Sequence, residues 1–172
     1  MSFKAEQRDI DYLLSNKLYE IPRNQRRYVW NKDNWEDLWS DLEFIVNNQQ
    51  YGKRHFLGSI VLREENRVIG IQRYTIIDGQ QRIITIILFM SALVAVLKEN
   101  GLEDDFKGTI TKLIIKDLKN QDNCVLHSDF HTCIGDIVLK VCDSEDKRPF
   151  KELLESCIAV SYTHLRAHET VL

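Results

Sequence analysis

The 172-residue sequence lacks an uninterrupted hydrophobic run long enough to cross a lipid bilayer. Its longest apolar stretch, residues 83–97, is interrupted by Thr85 and Ser91, and a membrane-spanning helix needs ~20 residues. The first residues are polar and do not show the basic and then apolar layout of a signal peptide. We therefore expect a cytoplasmic protein that does not enter a membrane.

Cysteine is scarce, and all four cysteines lie in the second half of the chain. Thiols stay reduced in the cytosol, so a disulfide framework is not expected. Cys124, His127, His131 and Cys133 form a Cys/His array, but they crowd into ten positions where zinc sites use two separated pairs. We therefore expect no zinc, only buried thiols and solvated histidines.

An excess of positive charge is also missing, because 23 Lys and Arg residues stand against 26 Asp and Glu residues, a net charge of -3. Residues 1–82 carry 13 basic and 12 acidic residues, a net of +1, whereas residues 83–172 carry 10 and 14, a net of -4. This balance argues against a uniformly basic surface for non-specific DNA binding. The first half of the chain is the expected place for a polyanion.

The hydrophobic periodicity that is present predicts both helices and strands. Helices are predicted over 6–17, 33–49, 80–98, 105–119, 129–140 and 149–159, strands over 18–22, 56–62, 67–72 and 74–77, and a short strand or loop over 123–126. The 80–98 helix is apolar on nearly every side and should be the buried centre. The 33–49 helix should pack on the sheet through one apolar face, which contains Trp35, Leu38, Trp39, Leu42, Ile45 and Val46. These patterns predict an α+β fold, a small sheet packed with helices.

The sharpest motif is Asp78-Gly79-Gln80-Gln81-Arg82, between a predicted strand and the 80–98 helix. Gly79 permits a tight turn, the helix N-terminus offers free N–H groups to an anion, and Arg82 adds donors suited to phosphate. Asp78 can bind a metal ion or orient a water, and both glutamines can donate and accept hydrogen bonds. A plain helix cap at Asp78 followed by a turn explains the same spacing about equally well.

Two further stretches favour a binding site. Residues 21–30 alternate polar and basic side chains with aromatic ones, as phosphate and base binding requires. Residues 55–60 combine a titratable His55 with Gly58, which allows another group to approach closely. Trp30 has two interpretations of equal weight, bracing Arg26 or stacking on a base.

Three motifs in this order carry a family resemblance: Ile-Pro…Gln-Arg-x-Tyr-x-Trp, His-Phe-Leu-Gly-Ser and Ile-Asp-Gly-Gln-Gln-Arg. Together they resemble the N-terminal domain of GmrSD-type restriction systems, over residues 10–97 and more weakly to residue 139. The resemblance implies a ParB/sulfiredoxin-like fold with a small mixed sheet. It also implies defence against foreign, often modified, DNA, with a nuclease domain located downstream or on a partner chain.

The resemblance also implies which residues meet a nucleoside triphosphate. It assigns catalysis to Asp78, Gln80, Gln81 and Arg82, with Asp78 as the Mg²⁺ ligand. It assigns nucleotide binding to Gln25, Arg26, His55, Ser59, Gly79 and Thr85. Asn24 stands where the family has an aromatic residue, and Ile84 stands where a threonine is usual.

The function that the resemblance implies is an Mg²⁺-dependent nucleoside triphosphatase whose cycle gates DNA cleavage. Two alternatives stay open, a nucleotide sensor that switches a partner nuclease without turnover and a ParB-like domain that nicks DNA itself. Residues 1–100 are expected to form the nucleotide-handling domain, and residues 101–160 a mostly helical extension that a longer chain completes. Residues 161–172 fit no amphipathic pattern, and we expect them to be a non-native tail.

Overall fold

The computed structural model describes residues 4–26, 28–48, 54–67, 70–116, 120–128 and 132–143. Within these residues there are five helices: α1 (Ile10–Leu14), α2 (Lys32–Asn47), α3 (Gln80–Glu99), α4 (Glu103–Leu113) and α5 (Thr132–Cys142). The strands are β1 (Lys17–Ile21), β2 (Val61–Glu64), β3 (Gln72–Asp78), β4 (Ile114–Lys116), β5 (Asp122–Cys124) and β6 (Leu126–Ser128). The α+β fold class expected from the sequence is confirmed.

The main sheet has four strands in the order β2-β3-β1-β6. The central strand β1 is parallel to both β3 and β6, whereas β2 is antiparallel to β3. The short strands β4 and β5 pair separately with each other. Because β1 and β3 run in the same direction, the segments that follow them leave the sheet at the same edge, where open α/β sheets bind ligands.

Helix α3 is the centre of the core, as its apolar sequence predicts. Ile83, Ile84, Ile87 and Val94 are completely buried. The sequence suggested that this stretch is too short to cross a membrane, whereas the 20-residue helix is long and apolar enough by length and composition; 61% of it is nevertheless buried inside the protein, as in a core helix. The other fully buried side chains come from both halves of the chain: Leu14, Tyr19, Ile76, Leu113, Val125 and Val138.

Two of the predicted strands are wrong in position. Strand β2 begins at Val61, not at Phe56, because Gly58 has a φ of +93° and Phe56 is 80% exposed, neither of which suits a sheet interior. Residues 67–72 do not form a strand within the described chain, where Ile71 makes only an isolated bridge before β3 begins at Gln72. Instead, β6 from the second half of the chain completes the sheet.

Two predicted helices also differ from the structure. Helix α4 ends at Leu113, because the residues after it pair with β5. Helix α2 begins as expected, with Asn31 as its N-cap in a capping box. Its predicted packing is wrong for Trp39 and Val46, which are 59% and 62% exposed, so the apolar stripe of α2 is wider than the surface that covers it. The predicted helix over 149–159 and residues 161–172 lie outside the described residues.

Candidate functional site

The junction of β3 and α3 places the Asp-Gly-Gln-Gln-Arg motif at the carboxyl edge of the parallel strands. Asp78 ends β3, and Gly79 is the N-cap of α3 with a φ of +87°. A Cβ at Gly79 would lie 3.0 Å from the Ile60 Cα, so this turn needs glycine both for its conformation and for space. No side chain caps α3, which removes the explanation of Asp78 as a simple helix cap.

The loop that follows β1, described over residues 22–26 and 28–31, lies against this junction. Three glutamine side chains, two of them from the motif itself, join the loop to the strand and helix by hydrogen bonds. The bonds run from Gln25 Nε2 to Ile77 O at 2.9 Å, from Gln80 Nε2 to Arg26 O at 2.6 Å, and from Val29 N to Gln81 Oε1 at 2.8 Å. The amide side chains thus satisfy backbone groups that a loop would otherwise leave to water.

A tyrosine fixes the far end of the same loop. The Tyr28 hydroxyl lies 2.9 Å from Thr85 Oγ1, one turn into α3, and Trp35 also hydrogen-bonds to it. Burial raises the pKa of Tyr28, although the bonds to Thr85 and Trp35 oppose that shift. Tyr28 therefore stays a neutral hydroxyl that anchors the loop to the core helix.

Arg82 runs across the face of Gly58. Its Nη1 donates to the Ser59 carbonyl oxygen at 2.8 Å. A Cβ at Gly58 would lie 2.6 Å from Arg82 Nε, which is closer than such atoms approach. The close approach that the sequence predicted at Gly58 is therefore the approach of an arginine side chain, which the glycine and the carbonyl hold in place.

These elements enclose a cleft of about 200 Å³, lined by Gln25, Arg26, Trp30, Asp78, Gly79, Gln80, Gln81 and Arg82. Two guanidinium groups and one carboxylate give the lining a net charge of +1. The Arg26 guanidinium and the Asp78 carboxylate have no hydrogen-bond or ion-pair partner among the described residues. The first helical bond of α3 is from Ile83 N to Gly79 O, so the N–H groups before it add positive potential at the same place.

Gln80 is the buried polar group of this cleft. Its side chain is 3% exposed, and its Oε1 has no hydrogen-bond partner among the described residues. The bond from Nε2 to the Arg26 carbonyl oxygen fixes the amide orientation, because a flipped amide would set two acceptors against each other. The carboxamide oxygen is therefore an acceptor that the described part of the chain leaves unused.

The structure does not bring every predicted site residue to the cleft. His55 Nδ1 lies 3.4 Å from Asp41 Oδ2 on α2, and Ser59 contributes only its carbonyl oxygen to Arg82. Thr85 is 1% exposed and lies beneath the loop. Trp30, for which the sequence left two roles open, does line the cleft, and its ring packs edge-on against Trp35 with a centroid distance of 6.1 Å.

The described residues contain no group of three or more His, Cys, Asp or Glu side chains that could hold a metal ion. In the Cys/His array noted in the sequence, Cys124 is a buried free thiol, whereas His127 is exposed on the neighbouring strand. His131 and the Cys133 side chain lie outside the described part of the chain.

Comparison with protein families identifies this architecture. The model of the N-terminal domain of GmrSD restriction endonucleases matches residues 10–168. The chain belongs to this family. No curated protein matches the sequence.

The GmrSD match covers every residue that lines the cleft and all five helices of the described structure. It also includes residues 161–168 of the segment that the sequence suggested is non-native. Family membership makes this chain part of a restriction-type defence protein, and the motif that carried the resemblance is the one that forms the cleft.

Proposed function

We propose that the cleft binds a nucleoside triphosphate and that the domain hydrolyses it to regulate restriction of foreign, possibly modified, DNA. One observation carries the proposal. Two arginine side chains, the N-terminus of a 20-residue helix and a carboxylate that has no partner among the described residues share one cleft of about 200 Å³. That combination suits a polyphosphate, because phosphate oxygens accept hydrogen bonds from guanidinium and free backbone N–H groups.

Arg26 and Arg82 would neutralise the phosphate chain from two sides. Arg82 is already oriented by Ser59 O and Gly58, so it loses little freedom when a ligand binds. Arg26 belongs to the loop and has no ion-pair partner among the described residues, so a bound phosphate can become that partner. The loop would then close over the ligand through the same guanidinium that recognises it.

Mg²⁺ fits the donor set of this cleft. Asp78 supplies one exposed carboxylate at the edge of the sheet, and Mg²⁺ is commonly held by one or two carboxylates together with substrate phosphates. Asp78 would hold the ion, whose chemistry here is to neutralise charge on the phosphates. The protein residues supply orientation, which is the main contribution of proteins to phosphoryl transfer.

Trp30 supports a nucleoside as the rest of the ligand. It is the aromatic residue of the cleft lining, and Trp35 holds its ring from the side. Stacking of a base on an aromatic ring contributes about 1–3 kcal/mol and tolerates different bases. The cleft therefore has a charged part for the phosphates and an aromatic part for the base.

A sensor that binds without turnover is the second candidate, and one feature favours it. The loop over residues 22–31 is bonded directly to the motif through Gln80 and Gln81. A ligand in the cleft can therefore change the position of the loop without any chemical step. In either case the proposed partners are DNA and a nuclease domain, on this protein or on another chain.

Binding and hydrolysis of the four ribonucleoside triphosphates with Mg²⁺ test the proposal. Wild-type protein would be compared with Arg82→Ala and with Arg63→Ala, which removes an exposed arginine that pairs with Glu65 outside the cleft. We expect Arg82→Ala to lower affinity at least tenfold and to abolish phosphate release, with Arg63→Ala unchanged.

The other outcomes separate the candidates. Binding by wild-type protein without phosphate release supports the sensor. Relaxation of supercoiled plasmid by the chain alone supports the DNA-nicking alternative. Equal affinity and rate in wild-type protein and Arg82→Ala, both folded, would refute the site.

A further inference from the structure

One buried acceptor beside the cleft has no hydrogen-bond donor among the described residues. Gln80 lines the cleft, and its Oε1 is the buried, unpaired atom, whereas its Nε2 is held by the Arg26 carbonyl oxygen at 2.6 Å. Leaving a buried acceptor unpaired costs about 1–3 kcal/mol. A fold that keeps such a group beside a ligand cleft points to a donor that arrives with the ligand.

The chemistry of that donor is restricted. Phosphate oxygens of a nucleotide are acceptors at neutral pH, so they cannot satisfy a carboxamide oxygen. We propose that Gln80 Oε1 accepts a hydrogen bond from an uncharged donor of the bound nucleotide complex. Through this bond, Gln80 either makes the cleft prefer a nucleotide over a bare polyphosphate or positions the water that hydrolyses the nucleotide. The donor is a hydroxyl or N–H group of the nucleoside, or the water that attacks the γ-phosphate. This inference rests on the proposed function of the cleft.

The neighbouring Gln81 provides a built-in contrast. Both glutamines are buried and both hold the loop, but Gln81 Oε1 already accepts from Val29 N at 2.8 Å. Of the two amide oxygens, only the one on Gln80 remains to be filled by a ligand. The sequence presents Gln80 and Gln81 as equivalent, and the structure gives them different tasks.

In the water form of the proposal, the bond balance is that of ordinary hydrolysis. The water oxygen forms a bond to the γ-phosphorus, and the bond from that phosphorus to the β–γ bridging oxygen breaks. The bridging oxygen leaves with the electron pair on the nucleoside diphosphate. Gln80 accepts a hydrogen bond from the water and takes no proton, because an amide is not a base at neutral pH. The proton passes to a phosphate oxygen of the product.

The test compares Gln80→Met with Gln81→Met, because each variant loses one loop contact and only the first loses the unused acceptor. Gln80→Lys is the second variant, since its ammonium keeps a donor for the Arg26 carbonyl oxygen and removes the acceptor. Affinities for each ribonucleoside triphosphate and for inorganic tripolyphosphate are measured with Mg²⁺ by calorimetry, together with phosphate release, on proteins whose melting temperatures are known.

Two results support the proposal and identify the donor. If the donor belongs to the nucleoside, Gln80→Met and Gln80→Lys lower nucleotide affinity relative to tripolyphosphate affinity about tenfold, because the lost loop contact of the first variant and the added charge of the second act on both ligands alike. If the donor is the attacking water, nucleotide and tripolyphosphate affinities change by the same factor within each Gln80 variant, and the rate of phosphate release at saturating nucleotide falls at least tenfold more than in Gln81→Met. In Gln81→Met, nucleotide and tripolyphosphate affinities change together.

Three results overturn it. Parallel loss of nucleotide affinity, tripolyphosphate affinity and rate of phosphate release in Gln80→Met, of the same size as in Gln81→Met, means that Gln80 only holds the loop. No change in affinity or rate means that the acceptor is irrelevant to the ligand. Absence of binding to wild-type protein refutes the proposed function as well, and this outcome is recognised before any variant is made.

Discussion

At the scale of the single residue, Gly58 determines where the Arg82 guanidinium lies. The glycine has a φ of +93°, and any side chain there would overlap Arg82 Nε. The obstacle is the far end of a flexible side chain, so the arginine can move away at little cost to the fold. The consequence of a substitution should therefore fall on the cleft more than on stability.

We predict that Gly58→Ala lowers nucleotide affinity at least tenfold, because its Cβ displaces Arg82 from the cleft. The stability loss should be about 1–2 kcal/mol, which is the usual cost of a positive φ for an L-residue. Gly70→Ala is the matched control, since Gly70 has a φ of +77° and nothing within 4 Å of its Cβ position. Calorimetric titration and urea unfolding of both variants check this, and equal nucleotide affinities would contradict the displacement.

Two thiols, the buried Cys124 and the half-buried Cys142, make the protein sensitive to high pH. Burial raises the pKa of the Cys124 thiol from 9.0 to about 11, and burial followed by the nearby Cys124 raises the pKa of Cys142 to about 12. Unfolded thiols ionise first, so the stability that these neutral groups contribute is complete below pH 9 and is lost as the pH rises through 11 and 12.

We predict that the melting temperature falls between pH 9 and pH 11, and that the fall is smaller in a Cys124→Ala, Cys142→Ala double variant. The comparison is made relative to each protein at pH 7, because the substitutions also remove buried volume. Parallel curves for wild type and variant would assign the alkaline loss to other groups, such as the buried hydroxyl of Tyr19, whose pKa burial also raises.

At the scale of the element, the start of α2 is set by residues next to it in the sequence, whereas its packing is set by contacts with the rest of the protein. Its start is local, because Asn31 and Asn34 form a capping box whatever the rest of the chain does. Its packing is limited to one line of contact, where Leu38 is 8% exposed while Trp39 beside it is 59% exposed.

We predict that Leu38→Ala destabilises the protein by about 2–4 kcal/mol and that Trp39→Ala changes stability by less than about 1 kcal/mol. The contrast tests the burial of two adjacent apolar residues on one helix. Denaturant unfolding followed by circular dichroism gives both values. A larger loss for Trp39→Ala than for Leu38→Ala would mean that the outer face of α2 is covered in solution.

The difference between local and tertiary determinants, seen in α2, explains how much of the fold can be predicted from sequence. Features set by neighbours in the chain are predictable, such as the apolar α3, its glycine start and the Asn31 cap. Features set by distant pairing are not. The residues of β6 carry only a three-residue pattern, and their place beside β1 is decided by tertiary contacts.

The candidate site shows the same division. Its members were predictable because the Asp-Gly-Gln-Gln-Arg motif and the Gln25-Arg26 pair have recognisable chemistry. The different hydrogen bonds of Gln80 and Gln81 were not predictable, because they depend on which loop atom each amide contacts. His55 and Ser59 lie close in sequence to Gly58, but only the backbone of that stretch reaches Arg82.

At the scale of the whole molecule, one hydrophobic core includes residues from both sides of residue 100. Leu113, Val125 and Val138 are completely buried together with α3, and β6 completes the sheet beside β1. The backbone of Val125 also links the two parts, since its oxygen accepts from Tyr19 N and its N–H donates to Leu113 O.

We predict that a chain ending at residue 100 does not fold cooperatively, because α3 would expose one side of its apolar surface. A chain ending at residue 143, which keeps α4, α5 and β6, is the control and should retain more structure. Thermal melting followed by circular dichroism distinguishes the two. A sharp transition in the 1–100 chain would support the domain boundary expected from the sequence.

The place of β1 between β3 and β6 has a consequence for folding during synthesis on the ribosome. A ribosome releases the whole Asp-Gly-Gln-Gln-Arg motif more than forty residues before it releases Leu126–Ser128. Until those residues emerge, one edge of β1 is open and the core over α3 is incomplete. A nascent chain thus carries the complete Asp-Gly-Gln-Gln-Arg motif before β6 is in place, so any ligand that the cleft binds can be bound only after synthesis has passed β6.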